Sequence, residues 1–306
     1  MLRSISAYVL IAAAFLTLTL FSSSTDEQKM KEVDKVGHST TLPQMIKSIP
    51  IDKTFSFAGE KVPTDNFDVY ERLDRELLRN AYYHSSTILG LKRSNRYFPV
   101  IEKILAENGI PEDFKYLAVA ESDLSNAVSP AGAKGVWQFL KTTGKAYGLE
   151  SNSEVEERYH LEKSTQAACE YLNSLKKKFG SWTLAAAAYN MGETRLKKEK
   201  GIQRADNYFD LNLNQETSRY VFRILAIKEI LSNPKDYGFM VSEEEKYVPL
   251  NNYKTVEIDG SIANWGDFAI ENGTTYRMLK VYNPWLVSSS LVNKNKKTYE
   301  LRIPTE

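Results

Sequence analysis

From Asp65 to about Tyr237 apolar residues recur at helical spacing, and no stretch alternates persuasively at the period of a strand. An all-α body is therefore expected there. Tyr97 to Asn108 places Val100, Ile101, Ile104 and Leu105 on one face, with Gly109 at the position that ends a helix. Pro111 then opens another helix, as proline does at a first helical position. In it Phe114, Leu117, Ala118 and Glu121 fall at i, i+3, i+4 and i+7, so a carboxylate lies on the apolar face near a helix C-terminus. Both burial and the helix dipole disfavour negative charge at that place. Further helices are expected over 164–179, stopped by Gly180, over 182–189 with its alanine run, and over 217–232, stopped by Asn233-Pro234. Cys169 borders the apolar stripe of the first of these and reads as a small buried hydrophobe.

The chain has 306 residues, enough for one large or two smaller domains, and a net charge of +1. That balance argues against a nucleic-acid or generic polyanion binder. A single cysteine excludes an internal disulfide framework and a cysteine metal cage. His38, His84 and His160 show no metal-binding spacing, so neither metal nor cofactor is expected. Arg3 followed by the uncharged run Ile5–Phe21, with Ser22 and Ser24 as small residues ahead of Thr25-Asp26-Glu27, reads over 1–24 as an export signal or an N-terminal membrane anchor. No cysteine follows the run, which excludes lipid attachment there. Residues 25–64 are polar, lack a sustained period and read as a linker. The protein is expected in the bacterial cell envelope, periplasmic after signal cleavage or held at the membrane by its N-terminus.

Four segments carry the candidate chemistry: Ala120-Glu121-Ser122; Ser129-Pro130-Ala131-Gly132-Ala133-Lys134-Gly135-Val136-Trp137-Gln138-Phe139; Ala188-Tyr189-Asn190-Met191-Gly192; and Glu216-Thr217-Ser218-Arg219-Tyr220-Val221. Each alone reads as a solvated helix end, a turn or a core aromatic. In this order, over about 62–235, they resemble the lysozyme-like lytic murein transglycosylases of the soluble-lytic-transglycosylase family, and most of all its membrane-bound branch. Arg96-Tyr97-Phe98-Pro99, Gly109-Ile110-Pro111-Glu112-Asp113 and Ser164-Thr165-Gln166-Ala167-Ala168 extend the likeness. Gly135-Val136-Trp137-Gln138 departs mildly from the family's usual Gly-Leu-Met-Gln or Gly-Leu-Trp-Gln. Arg158-Tyr159-His160-Leu161 replaces Arg-x-Asp-Pro in a loop away from the matched catalytic positions.

The resemblance implies a lysozyme-like catalytic domain over 65–237 that cleaves the β-1,4 bond between N-acetylmuramic acid and N-acetylglucosamine. Glu121 is then the acid, and a desolvated carboxyl suits that work because it stays protonated near neutral pH. A hydrolase would ordinarily need a second carboxylate. Asp123 lies about 200° round a helix from Glu121 and faces elsewhere if the helix continues, and no other acid stands out. The single acid fits the non-hydrolytic route, in which the 6-hydroxyl of the muramoyl sugar closes a 1,6-anhydro ring. Ser129 would orient reacting groups, Gln138 contact substrate, Tyr189 aim its hydroxyl at Glu121 or the oxazolinium-like intermediate, Asn190 fix the turn presenting it, and Glu216 and Tyr220 close the far side. Ser122 reads as helix-end packing as readily as catalysis. A water-using muramidase on the same fold and an inactive peptidoglycan-binding scaffold are the rival readings.

Beyond 248 the pattern changes. Lys254–Ile258 alternates like a strand, 262–269 and 275–282 read as short helices, the second with Tyr276, Met278 and Leu279 inward, and Thr298–Ile303 alternates again. This β-α-α-β order, with Tyr282-Asn283-Pro284-Trp285-Leu286 as its turn, resembles a LysM peptidoglycan-binding module over 248–306. Its start matches poorly: Asp259-Gly260-Ser261-Ile262 stands where Gly-Asp-Thr-Leu is usual, and a docking appendage that only packs on the catalytic domain is the alternative reading of the tail. The expected whole is mainly α, with a small α+β tail, and its expected partners are peptidoglycan glycan strands.

Overall fold

The helical periods of the sequence become a bundle, and a hairpin drawn from the expected linker closes it. The structure, a computed structural model, describes residues 47–305. The expected signal or anchor and most of the linker lie outside the described residues. Among the described residues no helix is long and apolar enough to cross a membrane.

Ser56–Phe57 (β1) and Glu60–Lys61 (β2) pair antiparallel around Ala58 and Gly59, both at positive φ as a tight hairpin turn requires. Phe57 and Val62 are fully buried in the main core. The linker expectation therefore fails from about Phe55 onward, because these apolar residues find partners on helices far along the chain. Glu60 is the clearest case. Its carboxylate accepts the backbone N–H groups of Trp182 and Thr183 and the Thr183 hydroxyl, so it caps a helix N-terminus that follows by 122 residues.

The bundle comprises α1 (Phe67–Ala81), α2 (His84–Glu107), α3 (Phe114–Ser122), α4 (Lys141–Ala146), α5 (Leu161–Phe179), α6 (Trp182–Met191), α7 (Glu193–Gln203) and α8 (Gln215–Ser232). Helix α2 begins 13 residues before the expected Tyr97 and runs through Pro99. Pro99 is exposed, so the hydrogen bond it removes is lost on the solvent side. Between Asn108 and Phe114 the chain turns tightly, with Gly109 at positive φ and Phe114 N–H donating to the Pro111 carbonyl. Ser181 and Asn214 cap α6 and α8 with their side-chain oxygens. The alanine run 185–188 is fully buried and lets α6 lie close against α5 and α8. Cys169 is buried, as expected.

Helices α1 and α8 pack together over a buried ion pair. Glu76, 1% exposed, receives the Arg219 Nε at 2.7 Å and its Nη2 at 3.2 Å. Arg219 belongs to the last of the candidate segments, so part of that motif serves architecture.

The tail follows the expected order: β3 (Tyr253–Ile258), α9 (Trp265–Glu271), α10 (Tyr276–Tyr282) and β4 (Tyr299–Pro304). The strands pair antiparallel with Val256 opposite Leu301 and Ile258 opposite Tyr299. One face packs on Trp265, Leu279 and Trp285. Of the residues expected inward on α10, Leu279 is buried, but Tyr276 and Met278 are exposed, because this two-turn helix meets the small core along a single line. Asn283 ties the turn to β4, donating to the Arg302 carbonyl at 2.7 Å and accepting the Arg302 N–H at 2.8 Å.

Contacts join the tail and the helical body in one unit from Ile49 onward. The segment between α4 and α5 makes the junction. Val155 lies inside the tail's core, Glu156 N–H donates to the Trp285 carbonyl at 2.8 Å, and the His160 ring stacks on Trp285.

Removing Arg219 leaves Glu76 buried with only the half-exposed Arg75 beside it. Arg219→Ala should lower unfolding free energy by roughly 3 kcal/mol, as breaking one side of a buried pair does. Urea denaturation at pH 7 measures this; a loss below about 0.5 kcal/mol, the level of an ordinary surface change, would mean that Arg75 alone compensates Glu76.

Candidate functional site

Helix α3 is short and buried over most of its surface, including Phe114, Tyr116, Leu117, Ala118 and Val119, so its final turn delivers Glu121 into the bundle. The helix stops there because Asp123 and Leu124 both adopt left-handed backbone, at φ 50° and 54°. Neither is glycine, and consecutive strained residues beside a candidate acid are a mark of function. The helix does not continue as the expectation for Asp123 assumed, yet the residue still faces away: its Oδ2 accepts the Ser86 hydroxyl at 2.8 Å.

The Glu121 carboxylate accepts a short hydrogen bond from the Tyr220 hydroxyl on α8. Burial pushes the Glu121 pKa up to about 7, opposed by the Tyr220 bond and the nearby Arg223, and reinforced by Glu216. Tyr189 and Tyr220 are both raised well above the ordinary tyrosine value, first by burial and then by the adjacent Glu121 charge. Glu121, Tyr189 and Tyr220 thus form one electrostatic cluster.

The two tyrosines differ from the expected assignment. Tyr220, expected at the far wall, holds Glu121; Tyr189, expected to aim at Glu121, donates to the Trp137 carbonyl at 2.7 Å. The reason is geometric. Tyr189 is packed among Tyr171 and Phe139, and its hydroxyl meets an unpaired carbonyl of the loop before it meets the acid. Asn190 does more than fix a turn: its Oδ1 accepts the Thr217 hydroxyl at 2.8 Å and links the end of α6 to the start of α8. Glu216 is exposed and receives Arg223 Nη2 at 2.7 Å, while the Arg223 guanidinium lies 5.4 Å from the Tyr220 ring centre.

Ser129 and Gln138 sit on the loop between α3 and α4. Ser129 Oγ accepts the Ala133 N–H at 3.0 Å and closes the loop's tip. Gln138 has left-handed backbone at φ 49°, and its amide donates to the carbonyls of Ala127 and Gly135 at 3.1 and 2.8 Å. Its two amide protons are therefore spent on the loop, which leaves the Oε1 as the group it can present. Trp137 is core: fully buried, with Nε1 donating to Thr165 Oγ1 at 2.8 Å. Ser122 proves to be a tie, donating to the Val136 carbonyl at 2.9 Å and fastening the loop to α3.

The residue that sequence reasoning passed over is Arg158. It forms a fully buried pair with Glu156, Nε to Oε1 at 2.7 Å and Nη2 to Oε2 at 2.6 Å. Its Nη1 donates to the carbonyls of Gly132 at 3.0 Å and Phe139 at 2.9 Å, so it joins the tip of the loop that bears Gln138 to the end of that loop next to α4. Gly135 admits this approach: a Cβ there would stand 1.9 Å from the Arg158 carbonyl oxygen, and its φ is +81°. The loop of Arg158-Tyr159-His160-Leu161, expected to stand away from the matched positions, is thus bonded to the segment that bears Ser129 and Gln138, and an arginine beside Glu156 and Glu157 is the signal that could have been read.

Two stretches of the chain match described domain families. Residues 98–212 match the transglycosylase SLT domain, and residues 254–306 match the soluble lytic transglycosylase C-terminal LysM-like domain. The first stretch contains Glu121, Ser129, Gln138, Tyr189 and Asn190; Glu216 and Tyr220 follow shortly after it. The chain is 32% identical over 198 residues to membrane-bound lytic murein transglycosylase D of Escherichia coli, a match that covers 62% of this chain and 43% of that protein. The protein of the same name from a second E. coli strain matches equally. The chain thus aligns with less than half the length of these curated relatives. Among solved structures, the 70 kDa soluble lytic transglycosylase of E. coli matches 51% of this chain and 28% of its own at 21% identity and a TM-score of 0.39. The lytic transglycosylase Slt of Pseudomonas aeruginosa matches 56% and 28% at 21% identity and a TM-score of 0.37.

Two measurements follow from this geometry. Gly135→Ala combines left-handed backbone with a backbone clash, and should cost at least 2 kcal/mol while freeing the loop; faster amide exchange over 127–139 would accompany it. Glu121 also links stability to pH. Its folded pKa, about 7, exceeds the ordinary 4.5, so the unfolded chain loses the proton first and stability falls between those values. Glu121→Gln should therefore exceed the wild type at pH 8 by on the order of 1–3 kcal/mol and equal it near pH 4. Equal stability at both pH values would place the Glu121 carboxyl in an ordinary solvated setting.

Proposed function

We propose that the chain is an exported peptidoglycan lytic transglycosylase that cleaves the β-1,4 bond between N-acetylmuramic acid and N-acetylglucosamine without water. The observation that carries the reading is Glu121: a carboxyl with a pKa of about 7, held by Tyr220, at a position inside the transglycosylase SLT match. Such a group is protonated in a useful fraction near neutrality and can give a proton to a glycosidic oxygen. The match to relatives named as lytic murein transglycosylases supports the substrate class.

The steps balance on one side chain. Glu121 protonates the leaving oxygen as its bond to the anomeric carbon breaks, and the substrate's own N-acetyl oxygen stabilises the positive centre. The 6-hydroxyl of the same sugar then attacks that carbon, and the Glu121 carboxylate takes its proton. The ring closes, the acid is regenerated and no water is consumed. Intramolecular attack gains from proximity. The other carboxylate with influence on Glu121 is Glu216, which Arg223 occupies, and Asp123 points elsewhere. Neither is set up to activate a water as a hydrolase's second carboxylate does.

In this reading Tyr220 tunes and orients Glu121, and Tyr189 acts through the Trp137 carbonyl and its charge coupling to the acid. Ser129 shapes the loop tip, Gln138 offers its Oε1 to the sugar, Asn190 holds Tyr189 against α8, and Glu216 with Arg223 forms the outer wall. Catalysis belongs to residues 65–237 and wall binding to 248–306. Residues 1–24 supply the export signal or membrane anchor, with envelope location as the consequence.

Digestion of sacculi should release muropeptides ending in 1,6-anhydro-N-acetylmuramic acid, lighter by one water and resistant to borohydride. Glu121→Gln should lower turnover by at least about a thousandfold, since an amide cannot act as the acid. Activity should fall as pH rises through about 7, where Glu121 loses its proton. Mass spectrometry decides between readings: reducible ends that incorporate label from heavy-oxygen water would make the enzyme a muramidase.

A further inference from the structure

The face of the β3–β4 sheet that turns from the tail's own core is not bare. It fronts the helical body across two adjoining cavities of about 150 and 470 Å³, both bordered by His160, Trp285 and Arg302. The larger lies within the roughly 300–1,000 Å³ of ligand pockets, and the smaller extends it toward the helical body. Register explains the face: Val256, Ile258, Leu301 and Ile303 turn to the core, so Tyr253, Thr255, Glu257, Glu300 and Arg302 turn to the cavities.

The lining has a particular chemistry. Tyr97 and Tyr159 from the helical body meet Tyr253 and Tyr282 from the tail, and none of the four hydroxyls has a hydrogen-bond partner among the described residues. The side-chain amides of Asn126 and Asn251 are equally unengaged. Aromatic rings with spare hydroxyls and amides suit a ligand that offers apolar ring faces and many neutral donors and acceptors.

Charge narrows the choice further. Arg302 is committed to Glu162 at 2.6 Å and lies over the Tyr253 ring. Arg96 is turned to the Val248 carbonyl and the Tyr247 ring. Lys163, which borders the larger cavity, is paired with Glu157. Glu257 and Glu300 stand opposite each other across the strands with no cation against either among the described residues. An anionic peptide stem would meet these two carboxylates, while the basic groups of the lining named here are already engaged. An uncharged sugar chain meets acceptors for its hydroxyls.

We propose that this junction is an accessory site for an uncharged, N-acetylated glycan strand, bound between the outer face of the β3–β4 sheet and the helical body. It rests on the peptidoglycan reading above for the identity of the strand. One wall is shared with the catalytic loop, since Asn126 and Val136 border the cavity and Ser129 and Gln138 belong to the same loop. A strand held at the junction therefore bears on the loop that serves Glu121.

The test uses the full chain, because Val155 inside the tail's core makes deletion of the tail a poor control. Tyr253→Phe with Tyr282→Phe keeps both rings and removes two hydroxyls. This double variant should bind insoluble sacculi about tenfold more weakly, with turnover of short soluble fragments unchanged. In the Glu121→Gln protein, a β-1,4-linked N-acetylglucosamine tetramer should slow amide exchange over 250–258 and 298–303. Undiminished sacculus binding by the double variant would overturn the proposal. So would protection confined to 121–139 and 189–220, or protection of the strands by a free stem peptide in place of the tetramer. Strand protection in a protein whose wild type cleaves no sacculus would leave this site standing and remove the transglycosylase reading instead.

Discussion

Arg158 and Glu156 form an ion pair with both side chains 3% exposed, and the remaining guanidinium donor satisfies two loop carbonyls. A buried pair of this kind adds little net stability, because desolvation offsets most of the attraction. What it provides is a single geometry. The guanidinium fork fits one arrangement of Glu156, Gly132 and Phe139, so the loop that bears Ser129 and Gln138 has one conformation. The same segment reaches the opposite way. Val155 enters the tail's core and Glu156 N–H bonds the Trp285 carbonyl. One stretch of chain between α4 and α5 therefore fixes the loop that bears Ser129 and Gln138 and seats the tail, and disturbance of either is felt by the other.

Around Glu121 the molecule accepts local cost. A carboxyl is kept where burial disfavours its charge, two non-glycine residues follow it in left-handed conformation, and Gln138 adopts a third. The surrounding packing holds these positions in place. Tyr220 on α8 holds Glu121 directly, Ser122 ties the end of α3 to the Val136 carbonyl, and Tyr189 ties α6 to the Trp137 carbonyl. Glu121 is thus held by a protein hydroxyl in a setting that raises its pKa to about 7.

Much was legible in the sequence. The 3.6-residue period located the helical body, and the i, i+3, i+4, i+7 pattern put Glu121 on a buried face near a helix end. Alternation with two short helical runs marked the tail's strand-helix-helix-strand order. These features are local: each is a statement about which face of one element avoids water, and period alone states it. Helix starts were less legible. Pro99 masked the first half of α2, since proline ordinarily ends a helix and only its exposure on the solvent side permits it here. The hairpin at 56–61 was hidden because two-residue strands have no period to read.

The partners were decided elsewhere. That Tyr220 and not Tyr189 holds Glu121, that Glu60 caps α6, that Arg219 answers Glu76 and that Arg158 grips the loop are all facts about residues far apart in sequence: Tyr220 and Glu121 by 99 positions, Arg219 and Glu76 by 143. A period tells that a side chain turns inward but not what waits there. Sequence by itself determined the helical body, the acid on its apolar face and the order of the motifs, because backbone geometry and hydrophobic burial act on neighbours. Only the tertiary structure decided which hydroxyl, cation or carbonyl completes each buried polar group, because that choice is made by whichever element the packing of the whole core brings within hydrogen-bond reach.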